Sequence, residues 1–154
     1  MKRRSFLKST VLLSATGAAV STGILSPNVA MAAAHGNNAF KAKSVDEVLK
    51  MLGATGAATS DKIKIKAPEI AENGAVVPVS ITSGIAGTTE IISITAANPT
   101  PLAAIYKFGE SAETSVKSRF KMGKTTDVVV LVKAGDKFYT AKANVKVTKG
   151  GCGG

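Results

Sequence analysis

Between residues 61 and 66 the chain reads "DKIKIK", with Lys62, Lys64 and Lys66 alternating with Ile63 and Ile65. A repeat of two residues cannot give a helix an apolar stripe; it gives an extended strand one apolar face and one basic face. Such a strand needs neighbours for its backbone groups and cover for its apolar face. The rest of the sequence supplies them. "AVVPVSITSG" at 75–84 follows the turn signal "ENG" and puts Val77, Val79 and Ile81 on one face. Pro78 inside that run has no N–H to give a ladder, which predicts an edge strand or a bulge. "TEIISITAANP" at 89–99 is another strand, stopped at Asn98-Pro99. "TTDVVVLVKAGDKFYTAKANVKVT" at 125–148 reads as two strands joined at "KAGDK", the second reaching Thr148.

One segment breaks the alternation. In "AFKAKSVDEVLKML" at 39–52, Val45, Val48, Leu49 and Leu52 recur at three- and four-residue spacing. Ser44 and Glu47 form a capping-box pattern at its start, and Gly53 closes it. A short helix ahead of several short strands predicts an all-β fold, a β-sandwich; a closed barrel satisfies the same periodicity. There is no internal repeat and no sign of a second domain.

Ahead of the helix, "MKRRSFLK" is basic, the next stretch is weakly apolar, and small residues cluster at 30–34. That three-part pattern is an export signal, expected to be cleaved over residues 1–34, after Ala32 or Ala34. Arg3 and Arg4, followed by Phe6, Leu7 and Lys8, resemble the twin-arginine motif, with Lys2 where serine or threonine is usual. Ser14, Thr16, Gly17, Ser21, Thr22 and Gly23 break the apolar stretch, so it is a poor membrane anchor. The expected location is the periplasm, reached by export of the folded protein. Loss of Lys2, Arg3, Arg4 and Lys8 leaves 16 basic side chains against 10 acidic ones. In an exported protein that surplus points first to a solvated lysine-rich face, and second to attraction of small anions or acidic partner proteins, rather than to nucleic acid.

Most site chemistries fail for want of residues. The sole histidine, His35, falls beside the expected cleavage region, and Cys152 is the sole cysteine. Neither a hydrolytic triad nor a zinc or copper site can be assembled from one of each at opposite ends. Asp46 and Glu47 are neighbours on a helix and point in different directions, which suits a helix N-terminus better than acid–base work. Arg119 in "KSRFKMG" is the only arginine outside the signal; its planar fork could clamp an anion or a partner carboxylate, but it reads first as an ordinary surface cation. No cofactor, metal or catalytic residue is expected.

Cys152 survives this filter. It stands between Gly150, Gly151, Gly153 and Gly154, where no side chain can pack against it. An unpaired cysteine in an oxidising compartment indicates either a thiol that other molecules act on or an intermolecular disulfide. The glycines make residues 149–154 a mobile, narrow arm. At ~3.5 Å per residue, the four steps from Thr148 carry the sulfur about 14 Å beyond the last strand. No base stands near it in sequence, so the thiol is a handle rather than a nucleophile in its own site.

The terminal "GGCGG", the "KVT" at 146–148, "APEIAENGAVVPVSI" at 67–81, "NPTPL" at 98–102 and "RFKMG" at 119–123 resemble the SoxY family of sulfur carriers. The resemblance implies an immunoglobulin-like β-sandwich, over 35–148 here, paired with a SoxZ-like subunit as a heterodimer. It implies that sulfur is carried covalently on Cys152 during thiosulfate oxidation. The partner enzymes it implies are a haem-containing thiosulfate-coupling enzyme, a manganese hydrolase that releases sulfate, and in some systems a molybdenum sulfane dehydrogenase. The carrier itself is non-catalytic. The competing expectation is a secreted structural sandwich that uses Cys152 only for an intermolecular disulfide.

Overall fold

A computed structural model describes residues 38–149; the expected export signal at 1–34, His35 and the glycine-flanked Cys152 lie outside the described residues. The expected all-β sandwich forms: the described residues hold nine strands in two sheets, with the helix α1 (Val45–Leu52) ahead of them. Ser44 caps α1 by accepting from the backbone N–H of Glu47 at 3.2 Å. The Glu47 carboxylate reaches back past the cap to the N–H of Lys43 at 2.8 Å, one residue earlier than in the usual reciprocal box. Gly53 ends the helix at φ 69°, and Ala54 donates to the carbonyl of Leu49 at 2.8 Å. Ser44→Ala is expected to cost about 1 kcal/mol, read as a lower urea midpoint with an unchanged slope.

The strands are β1 (Ala58–Thr59), β2 (Ile63–Lys66), β3 (Ile70–Ala71), β4 (Val77–Ser83), β5 (Thr88–Thr95), β6 (Leu102–Lys107), β7 (Ser115–Phe120), β8 (Thr126–Ala134) and β9 (Lys137–Val147). The larger sheet runs β1-β9-β8-β5-β6, with β3 also on β9, and the smaller runs β2-β4-β7. β8 and β9 form a hairpin whose Ala134 pairs with Lys137 across Gly135, which takes φ 59° in the tight turn. The outer edge of β9 is shared: β1 pairs in parallel with Tyr139 and Thr140, β3 in parallel with Lys146 and Val147.

Two apolar cores result, one on each face of the larger sheet. Val79 and Ile81 of the smaller sheet pack between the sheets with Ile91, Val128, Val130 and Val132. On the opposite face Ile92, Ile94 and Leu131 are covered by Val48 of α1 and by Ala39, Ala42 and Ala54 around it. Coverage on both faces explains why "DVVVLV" is a continuous apolar run although each strand still alternates: Val128, Val130 and Val132 look one way, Val129 and Leu131 the other.

Pro78 corrects an expectation. β4 is the central strand of its sheet, not an edge. β2 pairs only with residues 80–83, so at Pro78 the strand has a single neighbour, Arg119 of β7, and the missing N–H falls where no second ladder exists. Neither β6 nor β7 is among the strands expected from the sequence. β6 ("LAAIYK") does not alternate; β7 does, with Lys117 and Arg119 between Val116, Ser118 and Phe120. A hydrogen bond between the Tyr106 and Ser118 hydroxyls joins these two strands across the side of the sandwich.

Candidate functional site

The residues expected to carry the chemistry, Cys152 with Gly150, Gly151, Gly153 and Gly154, lie outside the described residues. The structure describes the base from which they depart, and that base is held at every step. The N–H of Lys146 donates to the carbonyl of Glu69 at 2.9 Å, and that of Val147 to the Thr125 hydroxyl at 3.0 Å. The N–H of Thr148 donates to the carbonyl of Ala71 at 3.1 Å, and the carbonyl of Lys149 accepts from Gly74 at 2.9 Å. The last strand therefore stays fixed up to Lys149, by β3 and the turn after it on one side and by Thr125 on the other.

The turn is itself anchored. Asn73 Oδ1 accepts from the N–H of Ala75 at 2.9 Å, an Asx turn, and the carbonyl of Gly74 accepts from Met122 at 2.7 Å. The Met122 side chain is fully buried in the core between the sheets. Asn98 closes the ring: its Nδ2 donates to the carbonyl of Lys121 at 2.7 Å, and its Oδ1 accepts from Gly123 at 3.3 Å. The segments 67–81, 98–102, 119–123 and 146–148, far apart in sequence, thus meet at the end of the sandwich where the arm begins. Of the three large apolar side chains left exposed among the described residues, Ile70 (58 %) and Val76 (54 %) flank this root.

Other sequence candidates fall elsewhere. Asp46 and Glu47 lie in the first turn of α1, where Glu47 serves the cap. Arg119 is exposed on β7 opposite Pro78. Among the described residues no three His, Cys, Asp or Glu side chains cluster as metal ligands, and no helix is long and apolar enough to cross a membrane. An open depression of about 300 Å³ lies between the loop after α1 and the β8–β9 turn, with Asp136 and Lys137 as its charged lining. It sits by the start of β9, roughly 30 Å from the arm root at a strand rise of ~3.3 Å per residue.

The sequence signals do not reveal the clamp. β3 has two residues and no periodicity, and its parallel partner lies 76 positions on. The one local signal was "ENG", which marks the turn but not what it holds.

The model of the family described as sulfur oxidation protein SoxY matches residues 48–152. The chain is also similar to the solved structure of the sulfur carrier protein SoxY from Chlorobium limicola f thiosulfatophilum. The identity is 43% and the TM-score 0.61, over 67% of this chain and 94% of that one. Among curated proteins none matches.

Proposed function

Because the chain belongs to the SoxY family, we propose that it is a periplasmic covalent sulfur carrier whose working atom is Cys152 Sγ. The observation that carries this reading is the clamped arm root: the segments that mark the family converge on it, and the family match ends at residue 152, the cysteine itself. A rigid base with a short glycine arm suits presentation of a bound group to enzymes rather than chemistry on the carrier.

The cycle balances without a catalytic group on this chain. Oxidative coupling of the thiol with thiosulfate forms an S–S bond and gives Cys–S–S–SO₃⁻, one proton and two electrons, which pass to the haem-containing coupling enzyme. Hydrolysis by the manganese enzyme then adds water, releases sulfate and two protons, and leaves the persulfide Cys–S–S⁻. Where a sulfane dehydrogenase is present, it oxidises the outer sulfur before a second hydrolysis. The S–S linkage is open to exchange with free thiols, so a compartment outside the glutathione pool protects it. Folded export through the twin-arginine signal, as a heterodimer with a SoxZ-like subunit, delivers the carrier there.

Mass spectrometry of the C-terminal peptide tests this, without reductant, on protein from cells supplied with thiosulfate. The expected result is a thiosulfonate or an extra sulfur on Cys152 that a reductant removes. A uniform disulfide to another chain, unchanged by thiosulfate, would replace the carrier reading with a structural tether.

A further inference from the structure

The smaller sheet has one face in the core and one face open. Alternation along β2, β4 and β7 sends Ile63, Val79, Ile81 and Phe120 inward and leaves Lys64, Lys66, Lys117 and Arg119 exposed. The register sets them in rows: Lys66 and Lys117 flank Ser80, Lys64 stands beside Thr82, and Arg119 beside Pro78. Between the rows the floor is flat and satisfied, the Thr82 and Ser115 hydroxyls bonding each other at 3.2 Å. The three strands carry four cations and no carboxylate. None of the four is in an ion pair or hydrogen-bonded through its side chain among the described residues. A sheet face built for stability alone would set opposite charges across the strands, since like charges facing each other cost energy.

Resting on the carrier reading above, we propose that this face is the electrostatic docking surface for an acidic surface on the enzyme that loads the arm. Three observations select that occupant. Permanent interfaces are the more apolar ones, so a lysine-rich, apolar-poor face fits a transient, charge-steered encounter rather than the seat of a constant subunit. At a strand spacing of ~4.8 Å, the backbones of Lys66 and Lys117 are about 10 Å apart, which suits an extended acidic field better than one small anion. The face also abuts the arm. Arg119 and Pro78 lie at its near end, and β7 passes directly into residues 121–123, which hold the Gly74 turn at the root. Cys152 is three residues beyond Lys149, a reach of about 10 Å at most, so an enzyme that takes it has to close against that end. Asp61 and Glu113 precede β2 and β7, at the far end of the sheet. Lys62 stands beside Asp61 there, and Glu69 and Glu72 are exposed at the arm root, so the positive field belongs to the open face itself.

The test uses the purified carrier complex with the thiosulfate-coupling enzyme of the same organism. Wild type is compared with K64Q/K66Q/K117Q/R119Q at salt of about 20 mM and about 200 mM, concentrations that bracket effective screening. These side chains are exposed, so thermal unfolding should not shift. At low salt the variant is expected to lose roughly tenfold in kcat/KM for the carrier, with kcat unchanged. Wild type should lose a similar amount between the two salts, and the variant little. An all-arginine version of the face (K64R/K66R/K117R) should behave as wild type. Unchanged kcat/KM in the glutamine variant would overturn the docking face while leaving the carrier reading intact. Loss of the co-purifying subunit from that variant would also overturn it, by showing that the face seats a constant partner. A wild-type complex that accepts no sulfur at either salt would defeat the carrier reading itself.

Discussion

Cys152→Ser is expected to abolish thiosulfate-dependent sulfate formation and to leave the unfolding temperature where it was. The serine hydroxyl cannot be oxidatively joined to the sulfane sulfur of thiosulfate, because no alkoxide–sulfur bond replaces the S–S bond under conditions in which a thiolate reacts. The fold does not register the change, since the hydrogen bonds that hold 146–149 come from Glu69, Ala71, Gly74 and Thr125. The measurement is sulfate release by a reconstituted system, with circular dichroism and co-purification of the proposed SoxZ-like subunit as controls. Normal turnover by the serine variant would refute covalent carriage on this residue.

The second large effect is on stability. Leu131→Ala is expected to cost about 2–5 kcal/mol, the range for deleting a buried leucine side chain where the surroundings relax only in part. Leu131 is fully buried on the face of the larger sheet that α1 covers, with Ile92, Ile94 and Val48 as core companions. Urea unfolding followed by tyrosine fluorescence or circular dichroism reads it as a fall in midpoint. A loss below about 1 kcal/mol, the scale of an ordinary exposed substitution, would mean that the helix does not seal this core.

Most of the strands that alternate were legible from the sequence, β7 being the exception, and so was the helix. "DKIKIK", the Val77–Val79–Ile81 run and the β8–β9 hairpin appear where the period of two puts them. The helix begins and ends at Ser44 and Gly53 as its caps require. What periodicity does not encode is which sheet a strand joins or what lies across its second face. Hence the apolar run in β8 gave no warning that the helix would make a second core. Pro78 was misplaced for a related reason: a central strand can still have a local edge where its neighbour is short. Of the candidate site, the cysteine and its glycines stood out because their composition is unusual in a folded chain. The clamp beneath them did not, since it rests on backbone hydrogen bonds between segments 76 residues apart, and these have no residue-type signature.

The shared edge of β9 also fixes an order of events. β1 and β3 emerge early in synthesis, yet among the described strands both pair only with β9, the last of them. Until β9 arrives, β8 lacks a neighbour on one side and the two short strands have none, so the larger sheet cannot close. Such long-range pairing is slow, because the loop entropy has to be met before the contacts form. A chain truncated before residue 137 would remain open, with bare strand edges that invite aggregation and proteolysis. Completion of the sandwich thus certifies that the root of the arm has been made. Under the proposed export of folded chains, quality control of the fold would double as quality control of the carrier.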